Sequence, residues 1–492
     1  MSHNTENSTP LWTAADVYDA IEIADIGLWQ AKGVSIDSRT LNPDDIYVAL
    51  KGKNHDGHKF VEDAIDKGAV KAIVETIPDY VPPEKCIVVE DSLHALRQLG
   101  LVRRENVTAN IVGVTGSVGK TSVKEMLGAA MGGQKRTHVS KKSHNNHLGV
   151  PLTLANMPKD SEIGIFEMGM NNAGEISQLT RQVRPDVSII TTVQNVHLEN
   201  LGTPDNIAKA KSEIMEGMSR GSSIILNKDN RYYDFMRNIA KERGIWPFSF
   251  GMDMHADSHI NDIVVSSTRT YVEASILDEV YGIEFEFIGK HHAVNALAVL
   301  TAAKLLEMDM ERAVYDLENW TPGAGRGEVE FVQIKPNQPP VTVLNESYNC
   351  SPVALKAALD VLRHTQPSGG KGRRITILGD MSELGSKRAY IHAEQVIPVE
   401  NAGVDLVYTC GPLMKNLYEN LLEEMKGGHF NAPEELAPHI SRIIRPGDVV
   451  LVKGSRGGGE EPKMEVIVKA IRALSGKKEF QVEEDEAFID AV

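Results

Sequence analysis

Glycines, a lysine and two hydroxyls fall together in Gly113-Val114-Thr115-Gly116-Ser117-Val118-Gly119-Lys120-Thr121-Ser122. An apolar run, 111–114, leads into this segment. Val123, Met126, Leu127 and Ala130 follow it at helical spacing. A strand, a glycine turn and a helix start, in that order, make a phosphate site. Glycines let backbone amides curl around anionic oxygens, and the helix N-terminus adds partial positive charge. Lys120 would reach the β- and γ-phosphates, and the Thr121 hydroxyl would ligate Mg²⁺. Val114 stands where the strict loop pattern has its first glycine, so the match is to the shorter Gly-x-x-Gly-Lys-Thr core. Gly116, Ser117, Val118, Gly119, Lys120, Thr121 and Ser122 are the expected ATP contacts. A glycine turn that binds nothing competes with this reading; strand, turn, Lys-Thr pair and helix occurring together argue against it.

A second lysine stands out by its neighbours. Thr203-Pro204-Asp205 reads as N-cap, first helical position and acidic first turn, and Gly221 as a helix stop. Ile207, Ala210, Ile214 and Met218 form the apolar stripe between them. Lys211 lies on that stripe and Lys209 does not. Periodicity allows a lysine with a buried stem and a wet head, or one aimed into a nucleotide cleft. Glu167 ends the apolar run 163–168, and His197 follows the run 187–193. In a parallel sheet the ligand crevice lies at the C-terminal strand ends, where a carboxylate suits Mg²⁺. Either residue can equally be structural. His55-x-x-His58 and His144-x-x-His147 lack the cysteine pair or third ligand that a zinc site needs, and read as loops near substrate.

The elements that must position these groups are read from periodicity. Strands are expected at 33–36 and 46–50, then a helix with Phe60, Ala64, Ile65 and Ala69 on one face. The run 111–114 is followed by further buried strands at 163–168, 187–193 and 223–226. Helices alternate with them, which predicts a mainly parallel sheet. A third block repeats the alternation, with strands at 341–344, 375–378, 406–409 and 449–452 and helices at 413–425 and 434–444. This predicts an α/β protein of three domains, 1–107, 108–322 and 323–492, the last Rossmann-like. At 492 residues, three cores are reasonable.

Composition narrows the partners. The 52 Lys and Arg against 68 Asp and Glu give a formal charge of −16, which argues against non-specific nucleic-acid binding. No apolar run approaches the roughly 20 residues that span a bilayer, so no membrane association is expected. Residues 1–10 lack the basic and apolar regions of a secretory signal. Three distant cysteines, Cys86, Cys350 and Cys410, fit a reducing cytoplasm. The acidic stretch 477–492 reads as a solvated end.

The motifs together resemble the Mur ligases, ATP-dependent amide ligases of cell-wall synthesis. Within that family, Ser347-Tyr348-Asn349 and Gly379-Asp380-Met381-Ser382-Glu383-Leu384-Gly385 are similar to the branch that adds D-alanyl-D-alanine to a UDP-N-acetylmuramoyl-tripeptide. The resemblance runs from about Gly33 to about Ala473. It implies a small α/β UDP-substrate domain, a central P-loop domain and a C-terminal Rossmann-like domain. It also implies that Ser38, Arg39, Asn54, His55, Asn145, Asn146, Tyr348, Asn349, Lys453, Ser455 and Arg456 contact substrates. Asn295, Arg326 and Glu346 would contact ATP. Thr121, Glu167 and His197 would hold Mg²⁺, joined by Lys211 as a CO₂-derived carbamate. Lys120, Glu167, His197 and Lys211 would form the catalytic set of a monomer. Sister ligases with another acceptor, and a non-catalytic nucleotide-binding protein, are the alternatives. The chain departs from the family at Glu346 (usually Asp), His292 and Ser351 (usually Asn), and in the longer link Gly457-Gly458-Gly459-Glu460-Glu461-Pro462.

Overall fold

The computed structural model describes residues 10–23, 27–52, 55–141, 144–194, 198–266, 268–457 and 462–475. His197, Asn54 and the acidic stretch 477–492 lie outside them. The described strands form sheets of four, nine and six, besides one two-stranded pair.

The four-stranded sheet is parallel and runs in sequence order through Gly33–Ser35, Asp45–Val48, Lys71–Val74 and Cys86–Val88. The helix expected after residue 59 is shorter than its periodicity suggested. A 3₁₀ turn, Gly57–Phe60, leads into Val61–Asp66, which buries only Val61 and Ala64. Gly68, at φ +100°, turns the chain away before Ala69, and Phe60 stays exposed. This sheet is tied to the next unit by side chains. The Asn156 amide donates to the Val34 carbonyl and accepts from the Val34 N–H, both at 2.9 Å. The Trp12 indole donates to the Ala155 carbonyl at 2.8 Å.

In the nine-stranded sheet, Asn110–Thr115 sits between Val187–Ile190 and Ile163–Glu167, all parallel. The flanking strands are buried along their whole length, as a sheet covered on both faces requires. The parallel run continues outward through Ser223–Asn227, Trp246–Gly251 and Ser258–Val265. The expectation of a mainly parallel sheet holds to this point. Beyond it, Ser258–Val265, Thr270–Ile276 and Glu279–Phe285 form an antiparallel meander. Thr270–Ile276 alternates buried and exposed residues, the period-2 signature of a half-covered strand. The helix Lys120–Gly132 buries Val123, Met126, Leu127 and Ala130 completely, as their spacing predicts.

The six-stranded sheet runs Glu328–Val332, Val341–Glu346, Val449–Lys453, Arg374–Gly379, Leu406–Cys410 and Lys426–Phe430, antiparallel only at its first junction. Two expected helices are broken. Residues 413–425 give only Lys415–Glu419 and a 3₁₀ turn, Glu423–Met425. The Asn420 amide bonds back to the Asn416 carbonyl, and the chain must be extended by Lys426. Residues 434–444 divide into Pro433–Leu436, a 3₁₀ turn Ala437–His439 and Ile440–Ile443. Pro438 carries no N–H for a continuous ladder. The bends still bury Leu436, Ile440 and Ile443. Among the described residues, no helix is long and apolar enough to cross a membrane.

The helix carrying Lys211 is Pro204–Ser212. The Thr203 hydroxyl caps it, accepting from the Asn206 N–H at 3.3 Å, with Pro204 at its first position. It ends before Gly221, tightening into the 3₁₀ turn Glu213–Gly217. Gly217 ends that turn against the Thr180 carbonyl, which any Cβ there would overlap. Gly217→Ala is therefore expected to cost roughly 1–3 kcal/mol by overpacking against backbone, read as a lowered unfolding midpoint in urea or heat.

Candidate active site

The phosphate loop leaves its strand at Thr115 and turns at Gly116 and Gly119, whose φ values are +151° and +85°. A side chain at Gly116 would overlap the Thr191 hydroxyl, which donates to the Val118 carbonyl at 2.6 Å. The loop is thus bonded across to the next parallel strand end. The Lys120 ammonium folds back onto the Gly116 carbonyl at 2.8 Å. Burial pulls its pKa down, against the opposing charge of Glu167.

Glu167 is 1% exposed at the end of the adjacent strand. One of its oxygens accepts from the Thr121 hydroxyl at 2.9 Å and the other from the Asn145 amide at 2.7 Å. A hydroxyl and a carboxylate held this close at the foot of a glycine cradle are hard oxygen donors, and they fit Mg²⁺. Among the described residues there is no group of three or more His, Cys, Asp or Glu that could hold a metal. His58 is otherwise engaged: its ring bonds the Asp56 carboxylate at 2.8 Å and accepts from the Glu75 N–H at 2.9 Å.

Lys211 is 1% exposed, which decides between the two readings of its stripe: the whole side chain is buried. No hydrogen-bond or ion-pair partner of its ammonium is found among the described residues. Burial first, and the positive charge of Lys120 second, push its pKa well below the ordinary 10.5. Burial thus disfavours the charged form of an amine that feels the Lys120 charge of the phosphate loop.

Residues of the third sheet face the same loop. The charge of Arg326 acts on Lys120, Lys124 and Glu125, and that of Glu383 on Lys120. The Arg326 guanidinium lies 3.7 Å from the centre of the Tyr348 ring, and Arg456 lies 5.6 Å from it. Glu346 pairs with the buried Lys453 at 2.9 Å, and Lys453 also donates to the Asn349 carbonyl at 3.1 Å. Asn295 approaches the loop so closely that a Cβ at Gly119 would stand 3.1 Å from its amide nitrogen. Beside it, His292 is 3% exposed with both ring nitrogens unpartnered, between Phe287 and Trp320. It borders a small cavity of about 10 Å³ that Glu346 and Gly327 also line.

Several further polar side chains hydrogen-bond within the fold. Asn146 accepts from the Leu148 and Gly149 N–H groups at the start of the helix Gly149–Ala155. Ser455 bonds the Cys350 carbonyl and the Ser382 N–H, and Ser351 caps Pro352–His364. Ser38, Arg39 and His55 lie on the first sheet's loops, with Arg39 paired to Asp37 at 2.8 Å. Three residues at the phosphate site were missed. Lys124, 2% exposed, lies one helical turn after Lys120, a spacing that could have revealed it. Ser140, which bonds the Ile165 carbonyl and the Glu167 N–H, and Thr191 carried no local signal.

Comparison with known proteins gives matches along most of the chain. Residues 30–100 match the Mur ligase family, catalytic domain; 114–303 the Mur ligase middle domain; and 329–456 the Mur ligase, glutamate ligase domain. The chain is 33% identical over 448 residues to the UDP-N-acetylmuramoyl-tripeptide–D-alanyl-D-alanine ligase of Rickettsia prowazekii, covering 91% of this chain and 97% of that one. It is 32% identical to the Bacillus subtilis protein of the same name, covering 89% and 92%. The crystal structure of MurF from Acinetobacter baumannii superposes with a TM-score of 0.81 at 28% identity, covering 94% of this chain and 99% of that one.

The burial of Lys211 predicts a stability signature. An unfolded chain keeps the lysine proton up to about 10.5, whereas the native site releases it far lower. Between those values the unfolded state binds the extra proton, so stability falls as pH falls through the window. Lys211→Met removes this penalty. In CO₂-free buffer the variant should melt higher than the parent at pH 7, and the gap should close as pH approaches 10.5.

Proposed function

The chain belongs to the Mur ligase family, and we propose that it joins D-alanyl-D-alanine to UDP-N-acetylmuramoyl-tripeptide, forming the muramyl pentapeptide with release of ADP and phosphate. The observation that carries this reading is the Thr121–Glu167 pair in a glycine cradle, with the charge of Arg326 acting on Lys120 and a buried Lys211 feeling the Lys120 charge. Full-length similarity to ligases named for this reaction supplies the substrates.

A carboxylate is a poor acyl donor because its oxide leaves badly. Phosphorylation of the tripeptide's terminal carboxylate by ATP gives an acyl phosphate, and the D-alanyl-D-alanine amine then expels phosphate to form the amide. The protein contributes position and charge. The loop amides of residues 116–121 and the Lys120 ammonium hold the phosphates. Thr121 and Glu167 would hold Mg²⁺, with His197 as a second-site ligand; the metal would supply charge neutralisation on the transferring phosphoryl group. Lys211, whose pKa burial pulls well down, would take up CO₂ as a carbamate with loss of a proton, giving an anion on a long stem suited to metal ligation. Asn295, Arg326 and Glu346 bind the nucleotide. Ser38, Arg39, Asn54, His55, Asn145 and Asn146 take the UDP-muramyl peptide, and Tyr348, Asn349, Lys453, Ser455 and Arg456 take the acceptor side. The chain is read as domains 1–107, 108–322 and 323–492, working as a cytoplasmic monomer.

The test is reconstitution. Purified protein is incubated with ATP, Mg²⁺, UDP-muramyl tripeptide and D-alanyl-D-alanine, each omitted in turn, and products are read by mass spectrometry. Pentapeptide only in the complete mixture is the expected result; none from either common tripeptide, with ATP still bound, favours a sister ligase. Glu167→Gln should lower kcat by roughly 10²–10³, the usual loss for one electrostatic transition-state contact. Stripping CO₂ should slow the parent enzyme, with bicarbonate restoring it, whereas Lys211→Met should stay inactive in both.

A further inference from the structure

The third sheet carries a ring of hydrogen bonds that the reaction scheme leaves unused. The Ser347 hydroxyl, fully buried, donates to Glu465 at 3.0 Å. The other Glu465 oxygen accepts from Arg472 at 2.9 Å, two helical turns along Glu465–Arg472. Arg472 grips Glu330 through two bonds of 2.6 and 2.7 Å. The Asn345 amide donates toward Glu328 and Glu330 at 3.2 and 3.3 Å, and its oxygen accepts from the Ser347 N–H at 3.3 Å, closing the circle. Three elements are clamped together: Glu328–Val332, the end of Val341–Glu346, and Glu465–Arg472.

The ring sits directly behind the connection that bears Arg326. The Gly327 N–H donates to the Asn345 carbonyl and the Tyr348 N–H to the Gly325 carbonyl, both at 3.0 Å. Gly325, at φ +71°, packs so tightly that a Cβ would stand 3.0 Å from the Ser347 hydroxyl. Arg326 is thus held between two residues zipped onto the 345–348 segment and is stacked on Tyr348. Glu465–Arg472 meets this segment through the bond from Ser347 to Glu465. The ring supplies the constraint.

We propose that Glu465 and Arg472 are positioning residues for Arg326: through Ser347 they fix the segment on which Arg326 is aimed at the nucleotide phosphates. Neither touches the phosphate site. The inference rests on the reading of Arg326 as a nucleotide contact. Its geometry predicts that losing the ring loosens Arg326 without unfolding the domain, because most of the surrounding core is apolar and stays intact.

The test measures affinity of the full-length protein for a non-hydrolysable ATP analogue with Mg²⁺ by calorimetry, which needs no ligase turnover, alongside melting temperature. Ser347→Ala and Glu465→Ala should each weaken analogue binding about tenfold, the effect of one charge-assisted hydrogen bond. The double variant should be no weaker than the poorer single one. Glu465→Gln should recover part of the loss, since its amide oxygen can still accept from Ser347. In an Arg326→Ala background, Glu465→Ala should add little. Unchanged affinity in the single variants, losses that multiply, or an undiminished Glu465→Ala effect without Arg326 would overturn the positioning role. So would losses that simply track melting temperature. If Arg326→Ala alone binds the analogue normally, the nucleotide-contact reading fails first, and that outcome is distinguishable from the others.

Discussion

Everything at the phosphate site hangs on keeping one carboxylate out of water. Glu167 is nearly inaccessible, and a buried carboxylate is costly unless each oxygen is bonded. Thr121 satisfies one oxygen and Asn145 the other, while the field of Lys120 offsets its charge. Those three partners come from the start of the phosphate-loop helix and from the loop ahead of Gly149–Ala155. The requirement to satisfy Glu167 therefore locks the glycine loop, the strand Ile163–Glu167 and the 144–148 loop into one geometry. A metal bound there would replace hydrogen-bond donors with a stronger cation at positions already fixed.

Parallel register turns that local lock into a site. Val114 is level with Glu167, and Thr115 with Ile190, so the C-terminal ends of three strands open at the same edge. Brought there together are the loop amides, the Glu167 carboxylate and the Thr191 hydroxyl that braces Val118. Lys211 enters from a separate helix whose apolar stripe carries it inward. Its burial without a carboxylate partner among the described residues pulls its pKa well below that of an ordinary lysine. The same desolvation costs stability.

The third sheet reaches this edge through backbone rather than through a large apolar face. The connection at residues 323–327 is glycine-rich, and its left-handed residues Gly325 and Gly327 let it lie flat against residues 345–348. Arg326 emerges between them and stacks on Tyr348, which Arg456 also approaches. Both guanidiniums lie within cation–π range of that ring, and Arg456 also donates to the Tyr348 hydroxyl at 3.3 Å. Glu346 and Lys453, bonded to each other nearby, keep two further charges paired at the end of adjacent parallel strands.

By itself the sequence determined whatever depends on near neighbours. The Gly-x-x-Gly-Lys-Thr core, the buried stripe of Val123, Met126, Leu127 and Ala130, the Thr203-Pro204 cap and the strands of the parallel sheets were all legible, because propensity, capping and periodicity act over a few residues. Local signals failed where another part of the chain intervened. Pro438 and the strand beginning at Lys426 cut two expected helices, and Gly68 shortened a third. Periodicity placed Lys211 on an apolar face but left open whether its amine reached water. Only the packed fold, which buries it completely, decided that. Likewise Asn146, Ser351 and Ser455 bond backbone groups at Gly149, Ala354 and Cys350, and the Cys350 partner of Ser455 lies far along the chain. Which polar groups are engaged in this way depends on the unmet demands of the folded backbone. Those demands exist only once distant strands and helices have come together.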